Sequence, residues 1–172
     1  GGIDLSVGPL AGFLVVLASF FVLDGKSPAI WVLGFVLMFL AALGVGLLNG
    51  SLIRFARFTP VAATLVTYIA LGGLSFTLRS APDGYIAASV TNAIQTKIGP
   101  VPVAFMVFVA AAVGLELMLR KSQFGMRLRA VGSDEESARR VGVLTNRTAV
   151  IGYACASLLT LLGAVVLLAQ LG

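Results

Sequence analysis

The sequence contains no histidine and one cysteine, Cys155, which lies inside an apolar run. A disulfide within the chain and a Cys/His zinc site are therefore both excluded, and Cys155 reads as a small packing residue. Charge is scarce: only 11% of the 172 residues are charged, while 59% are hydrophobic. Soluble domains carry about a quarter charged residues, so this chain cannot coat a water-exposed surface. With a mean hydropathy of +1.04, it reads as an integral membrane protein. No G-x-x-x-x-G-K-[ST] phosphate loop occurs, so no ATP is hydrolysed on this chain and no cofactor is expected in it. Nor are there basic runs interleaved with aromatics, the pattern that grips nucleic-acid strands, so no nucleic-acid partner is expected.

Five apolar segments stand out, over residues 7–23, 29–53, 61–78, 101–119 and 148–168. They are too long for strands and show no alternation, so they predict helices. A helix crossing ~30 Å of hydrocarbon needs ~20 residues, and only helices and closed barrels satisfy the backbone in lipid. The fold class is thus all-α, a multi-pass transmembrane bundle with about five spans in this chain. Turn signals punctuate it: "DGKSP" from Asp24 to Pro28, "SAPDGY" from Ser80 to Tyr85, and Thr59–Pro60, where a capping hydroxyl precedes a first-turn proline. After the second turn, Ile86, Val90, Ile94 and Ile98 recur every four residues. That spacing predicts either a short amphipathic helix lying at the interface or an irregular loop.

The basic residues set the orientation. If the first segment runs from inside to outside, Lys26, Arg79 and Lys97 lie outside; Arg54, Arg57, Arg120, Lys121, Arg127, Arg129, Arg139, Arg140 and Arg147 lie inside. Residues 120–147 then form a cytoplasmic loop. Small-xxx-small pairs at Gly8/Gly12 and Gly46/Gly50, with Gly72 and Gly73 in mid-span, suit close helix packing or mark broken helices along a transport path. The spans hold almost no charge, which argues against an ion-driven transporter or channel. They contain no paired carboxylates, which argues against an intramembrane enzyme.

Two stretches carry more. In "FGMRLRAVGSDEESARRVGV", residues 124–143, Ser133 and Glu136 match a capping box. Asp134, Glu135 and Glu136 place negative charge at the start of a two-turn helix, and Arg139 and Arg140 place positive charge at its end. Gly142 is a natural stop, and Ala138 lies in the middle. In "GGIDLSVG", residues 1–8, Asp4 precedes an apolar run. A carboxylate in the bilayer centre costs about 2.5–3.5 kcal/mol, so a helix break is expected here. Asp4 and Ser6 would cap the next helix, with Gly1, Gly2 and Gly8 permitting the turn, or Asp4 would meet substrate hydroxyls. Asn49, Thr64 and Thr67 are further candidates for the translocation pathway or for interhelical hydrogen bonds. Glu116 is expected to reach the interface.

Together these blocks resemble the permease subunit of bacterial ATP-binding-cassette importers for ribose and related sugars. The resemblance runs through Asn49–Gly50 and "IGPVPV" (Ile98 to Val103) and covers essentially the whole chain. It departs at Asp134, where the family has Asn, at Ser137 for Ala, at Met126 for Arg, and in the weaker "TPVAATL". The resemblance implies a type II importer permease of about ten spans, of which this chain looks like the middle half. It implies a bacterial inner-membrane location and transport by alternating access. The 132–142 helix, with Gly132, Ser133, Asp134, Glu135, Glu136, Ala138, Arg139 and Gly142, would be the coupling element. The implied partners are a separate ATPase holding ATP and magnesium, a second permease copy, an extracytoplasmic sugar-binding protein and membrane lipid. A nucleoside or branched-chain amino acid permease of the same superfamily is the alternative.

Overall fold

The computed structural model describes residues 2–81 and 84–169. Positions 82 and 83 of the expected 80–85 turn, and Gly1, lie outside the described residues. Among the described residues eight helices follow one another: α1 (Val7–Phe21), α2 (Pro28–Arg54), α3 (Pro60–Leu78), α4 (Ala88–Gln95), α5 (Val103–Lys121), α6 (Gln123–Ser133), α7 (Glu135–Arg140) and α8 (Thr145–Leu168). A two-residue hairpin, β1 (Lys97–Ile98) against β2 (Val101–Pro102), separates α4 from α5; Ile98 pairs with Val101.

Among the described residues, α2, α3, α5 and α8 are long and apolar enough to cross a membrane. The first apolar segment is a shorter case. α1 has 15 residues, or ~22 Å at 1.5 Å per residue, and residues 2–6 before it are not helical. Prolines start α2 and α3, where a missing N–H is harmless. Thr59 Oγ1 accepts from Ala62 N at 3.3 Å, the cap that the sequence specified.

α8 packs along α2 and α1, and α1 also lies against α3. The core forms where they meet, around Leu10, Leu14, Ala18, Met38, Ala42 and Leu168. Small residues let α2 and α8 approach closely. A Cβ on Gly46 would stand 2.6 Å from Ala154 Cα, and one on Gly50 2.8 Å from Val150 Cα. Gly8, Gly12, Gly72 and Gly73 face open space among the described residues, so those glycines do not serve packing within this bundle. α5 stands aside with no buried residue.

α4 settles the choice left open over this stretch between a helix and an irregular loop. The helix exists, and its apolar residues Val90 and Ile94 face protein. Ile86 and Ala87 are buried in the core, and Val90 and Ile94 pack against it. Ala87 N donates to Val22 O at 2.9 Å, and Ala88 N to Asp24 Oδ2 at 3.2 Å. Ile98 has left the helix for the exposed hairpin. At the same end, Arg79 ties α3 to α1: Nε donates to Ser19 Oγ at 2.8 Å, and the guanidinium lies 4.5 Å from the Phe20 ring centre.

Candidate functional site

The non-helical lead into α1 and the end of α2 place four of the expected polar residues in one chain of hydrogen bonds. Asp4 Oδ1 accepts from Ser6 N at 2.9 Å and from Ser6 Oγ at 2.6 Å. Asn49 Nδ2 donates to Ser6 Oγ at 2.9 Å, and Thr67 Oγ1 donates to Asn49 Oδ1 at 2.6 Å. Ser6, Asn49, Thr64 and Thr67 are all buried. α1, α2 and α3 are thereby joined by side chains whose alternative in lipid is an unsatisfied polar group. Thr64 stands apart from this chain, donating within its own helix to Pro60 O at 2.8 Å.

The expected capping at this break takes another form. Ser6 is the N-cap residue but makes no side-chain cap bond. Its hydroxyl lies instead between Asp4 and Asn49, and Asp4 holds the start of α1 through the Ser6 N–H, an Asx-turn geometry. Asp4 Oδ2 is buried without a hydrogen-bond partner. Asp4 lines a cavity of about 590 Å³ together with Tyr153, Gly152, Leu128, Arg54 and Glu135.

The basic segment 120–147 is more structured than a loop carrying one helix. Ser122 Oγ accepts from Gly125 N at 3.0 Å and starts α6. Gly125 sits against the Leu119 backbone, where a side chain has no room. Gly132 and Ser133 belong to this helix, so Ser133 does not cap the next one. Asp134 does: it is extended (φ −149°, ψ 106°) and accepts from Glu136 N and Ser137 N. The box fails because Ser133 is still helical, and an N-cap must leave helical geometry. Ser137 Oγ also donates to Asp134, which lowers the Asp134 carboxyl from its usual value. Glu136 does not reach back to a cap; it accepts from Arg140 Nε at 3.3 Å.

α7 ends as expected. Gly142 has φ +85°, and Val143 N donates to Ala138 O at 3.0 Å, so the chain closes the helix through a left-handed residue. Ala138 is buried. Glu135 is held by a residue the sequence reading counted only as a charge: Arg54 at the end of α2. Arg54 Nη1 donates to Glu135 Oε2 at 2.9 Å, and Nη2 donates to Glu135 Oε1. The Arg54 guanidinium, hydrogen-bonded to this carboxylate, is the first cause of its low pKa of about 2; Thr145 and Arg139 add to the effect. Arg54 Nη2 and Nε also donate to Asn146 Oδ1 at 2.7 and 3.0 Å. Arg54 and Asn146 are 92 residues apart, so no local period could have joined them. The sequence signal was a basic residue closing an apolar run. Glu116, near the end of α5, pairs with Arg120 one turn on.

Four helices long and apolar enough to span a membrane, a buried polar chain joining two of them to α1, and a clamped short helix at the basic end define a multi-pass membrane protein of transporter type. Residues 1–172 match the family described as the permease component of branched-chain amino acid transport systems, and the chain belongs to that family. The ribose import permease RbsC of Bacillus subtilis is 32% identical over 99% of this chain and 53% of its own length. The fructose import permease FruF of Bifidobacterium longum is 26% identical over 92% and 45%. The autoinducer 2 import permease LsrC of Yersinia enterocolitica is 27% identical over 99% and 47%. The chain thus spans about half the length of the curated relatives it matches. No solved structure matches it significantly.

Proposed function

We propose that residues 1–172 form part of the permease subunit of an ATP-driven importer that moves a monosaccharide by alternating access. The carrying observation is α7, a six-residue helix that would be marginal alone yet is fixed at its start by Asp134, at its end by Gly142 and sideways by Arg54. A helix so restrained, among nine of the chain's basic residues on one side, suits docking to a cytoplasmic ATPase that binds ATP and magnesium. Asp134, Glu135, Glu136, Ala138, Arg139 and Gly142 build it, and Gly132 and Ser133 lead into it. Asp4, Ser6, Asn49 and Thr67 would form the polar joint that shifts as the pathway opens, with Thr64 beside them. A second permease copy, an extracytoplasmic sugar-binding protein and membrane lipid complete the assembly. A sugar is favoured by the ribose and fructose import relatives; the family description favours a branched-chain amino acid as the second reading.

Ala138→Pro tests the docking role. Ala138 N donates to Asp134 O at 3.0 Å; proline removes that bond and costs about 3 kcal/mol, more than a six-residue helix supplies. The spans are untouched, so membrane insertion persists while the ATPase no longer co-purifies and ribose uptake into proteoliposomes stops. Normal insertion with full ATPase association and uptake would refute the assignment.

A further inference from the structure

α7 is joined to its neighbours in sequence by two short bends. Asp134, extended, alone separates it from α6, and the four residues 141–144, with Gly142 left-handed, separate it from α8. A short rigid piece between two such bends would pivot when pushed. The side chain that opposes pivoting comes from elsewhere. Arg54, whose side chain is only 17% exposed, closes a two-pronged grip on Glu135, the first residue of α7. The same guanidinium holds Asn146, the second residue of α8. Arg139 braces Glu135 from within α7 at 3.1 Å. Three elements thus converge on one planar group. A fork of this kind fixes orientation as well as distance, which a point charge cannot do.

Arg54 also stands on a helix pair that is hard to deform. α2 touches α8 backbone to backbone at Gly46 and Gly50. Five residues before Arg54, ~7.5 Å along the axis, Asn49 on the same helix holds Ser6 and Thr67. One helix therefore carries both the grip on α7 and the junction of the buried polar chain.

We infer that Arg54 is a positioning residue: it locks α7 to α2 and α8, so that displacement of α7 moves those two spans as one body instead of being lost in rotation at Asp134 and Gly142. This rests on the reading of α7 as the ATPase-docking element. The lock is the pair Arg54–Glu135, and each partner is without function in it when the other is gone.

The test uses the complete transporter, with its ATPase, in proteoliposomes and ribose as the probe. Variants are Arg54→Ala, Arg54→Lys, Glu135→Gln and the double variant Arg54→Ala/Glu135→Gln. A nitroxide on a cysteine replacing Arg140, in a background with Cys155→Ala, reports the motion of α7 without reference to transport. The ATPase is expected to remain bound in Arg54→Ala and Arg54→Lys, in which α7 itself is unaltered. Ribose taken up per ATP falls about tenfold in Arg54→Ala, the order expected for losing a charge-assisted bidentate contact. The double variant falls no further than either single one, as for two residues acting through one interaction. Arg54→Lys is intermediate, and the nitroxide is mobilised in each variant. An unchanged nitroxide spectrum, or effects of the two single variants that add, overturns the lock. If that happens while Ala138→Pro still releases the ATPase, the docking reading stands without it; if Ala138→Pro is also silent, both fall.

Discussion

Gly46 and Gly44 lie two residues apart on α2 and should respond oppositely to the same substitution. An added Cβ on Gly46 meets Ala154 Cα at 2.6 Å, Tyr153 O at 2.8 Å and Ser157 Oγ at 2.9 Å. The first two are backbone atoms of α8 and cannot swing away. Restoring an ordinary separation of 3.4 Å requires the helices to part by about 0.8 Å at this point. Overpacking of this kind costs typically ~1–3 kcal/mol. Against it stands the gain of about 1 kcal/mol for alanine over glycine in a helix interior. Gly46→Ala should therefore lose about 1 kcal/mol net. Gly44 has nothing within 4 Å of the same added atom, so Gly44→Ala keeps only the gain. The two variants should differ by ~2 kcal/mol, or roughly 4–8 °C in Tm for a chain of this size. Thermal unfolding of the detergent-solubilised transporter, followed by size-exclusion fluorescence, reads this directly. If both shift Tm in the same direction by similar amounts, the close α2–α8 contact is not present and the reasoning fails.

Asp4→Asn should be tolerated better than Asp4→Leu, because an amide oxygen can still accept from Ser6 N and Oγ; transport abolished in a normally inserted Asp4→Asn would show that the charge itself is required. The Glu135 carboxyl, held at about 2 in the fold against a reference of 4.5, sets a pH window for the attachment of α7. A depressed folded value means that its stabilisation is complete above the unfolded value and is lost as pH falls through the folded one. Limited proteolysis within 134–143 should therefore be flat from pH 8 to 5 and accelerate only below about 4.5; a midpoint near neutrality would contradict the pairing.

The long elements were legible because their cause is local and repetitive. Sustained apolar runs over α2, α3, α5 and α8 leave the backbone no alternative in lipid, and Thr59–Pro60 marks a helix start by its own chemistry. The corrections fall where two local rules compete or where distance in sequence hides a partner. Ser133 and Asp134 are both good caps. α6 continues through Ser133, and this decides for Asp134, which accepts two backbone N–H bonds. The polar residues Asp4, Ser6, Asn49 and Thr67 were each visible as anomalies in apolar surroundings, yet their union needs the packing of three helices. Arg54 was visible only as one basic residue among twelve, since Glu135 and Asn146 reach it solely through the fold. Gly46/Gly50 and Gly8/Gly12 have the same spacing, and only tertiary contact separates the pair that packs from the pair that does not.

The shortness of α1 has an electrical consequence. Its ~22 Å begins beside Asn49, and the cavity of about 590 Å³ reaches Asp4 from the basic end. If water fills that space, it carries the potential of its own compartment inward. A voltage that elsewhere falls over ~30 Å of hydrocarbon then falls along α1 over roughly three-quarters of that distance, and the field there is steeper by about a third. A full crossing is worth about 2.3 kcal/mol per unit charge at 100 mV. Asp4, at the foot of that gradient, would sit near the potential of the basic-side compartment, and only a charge moved from there along α1 would cross the voltage.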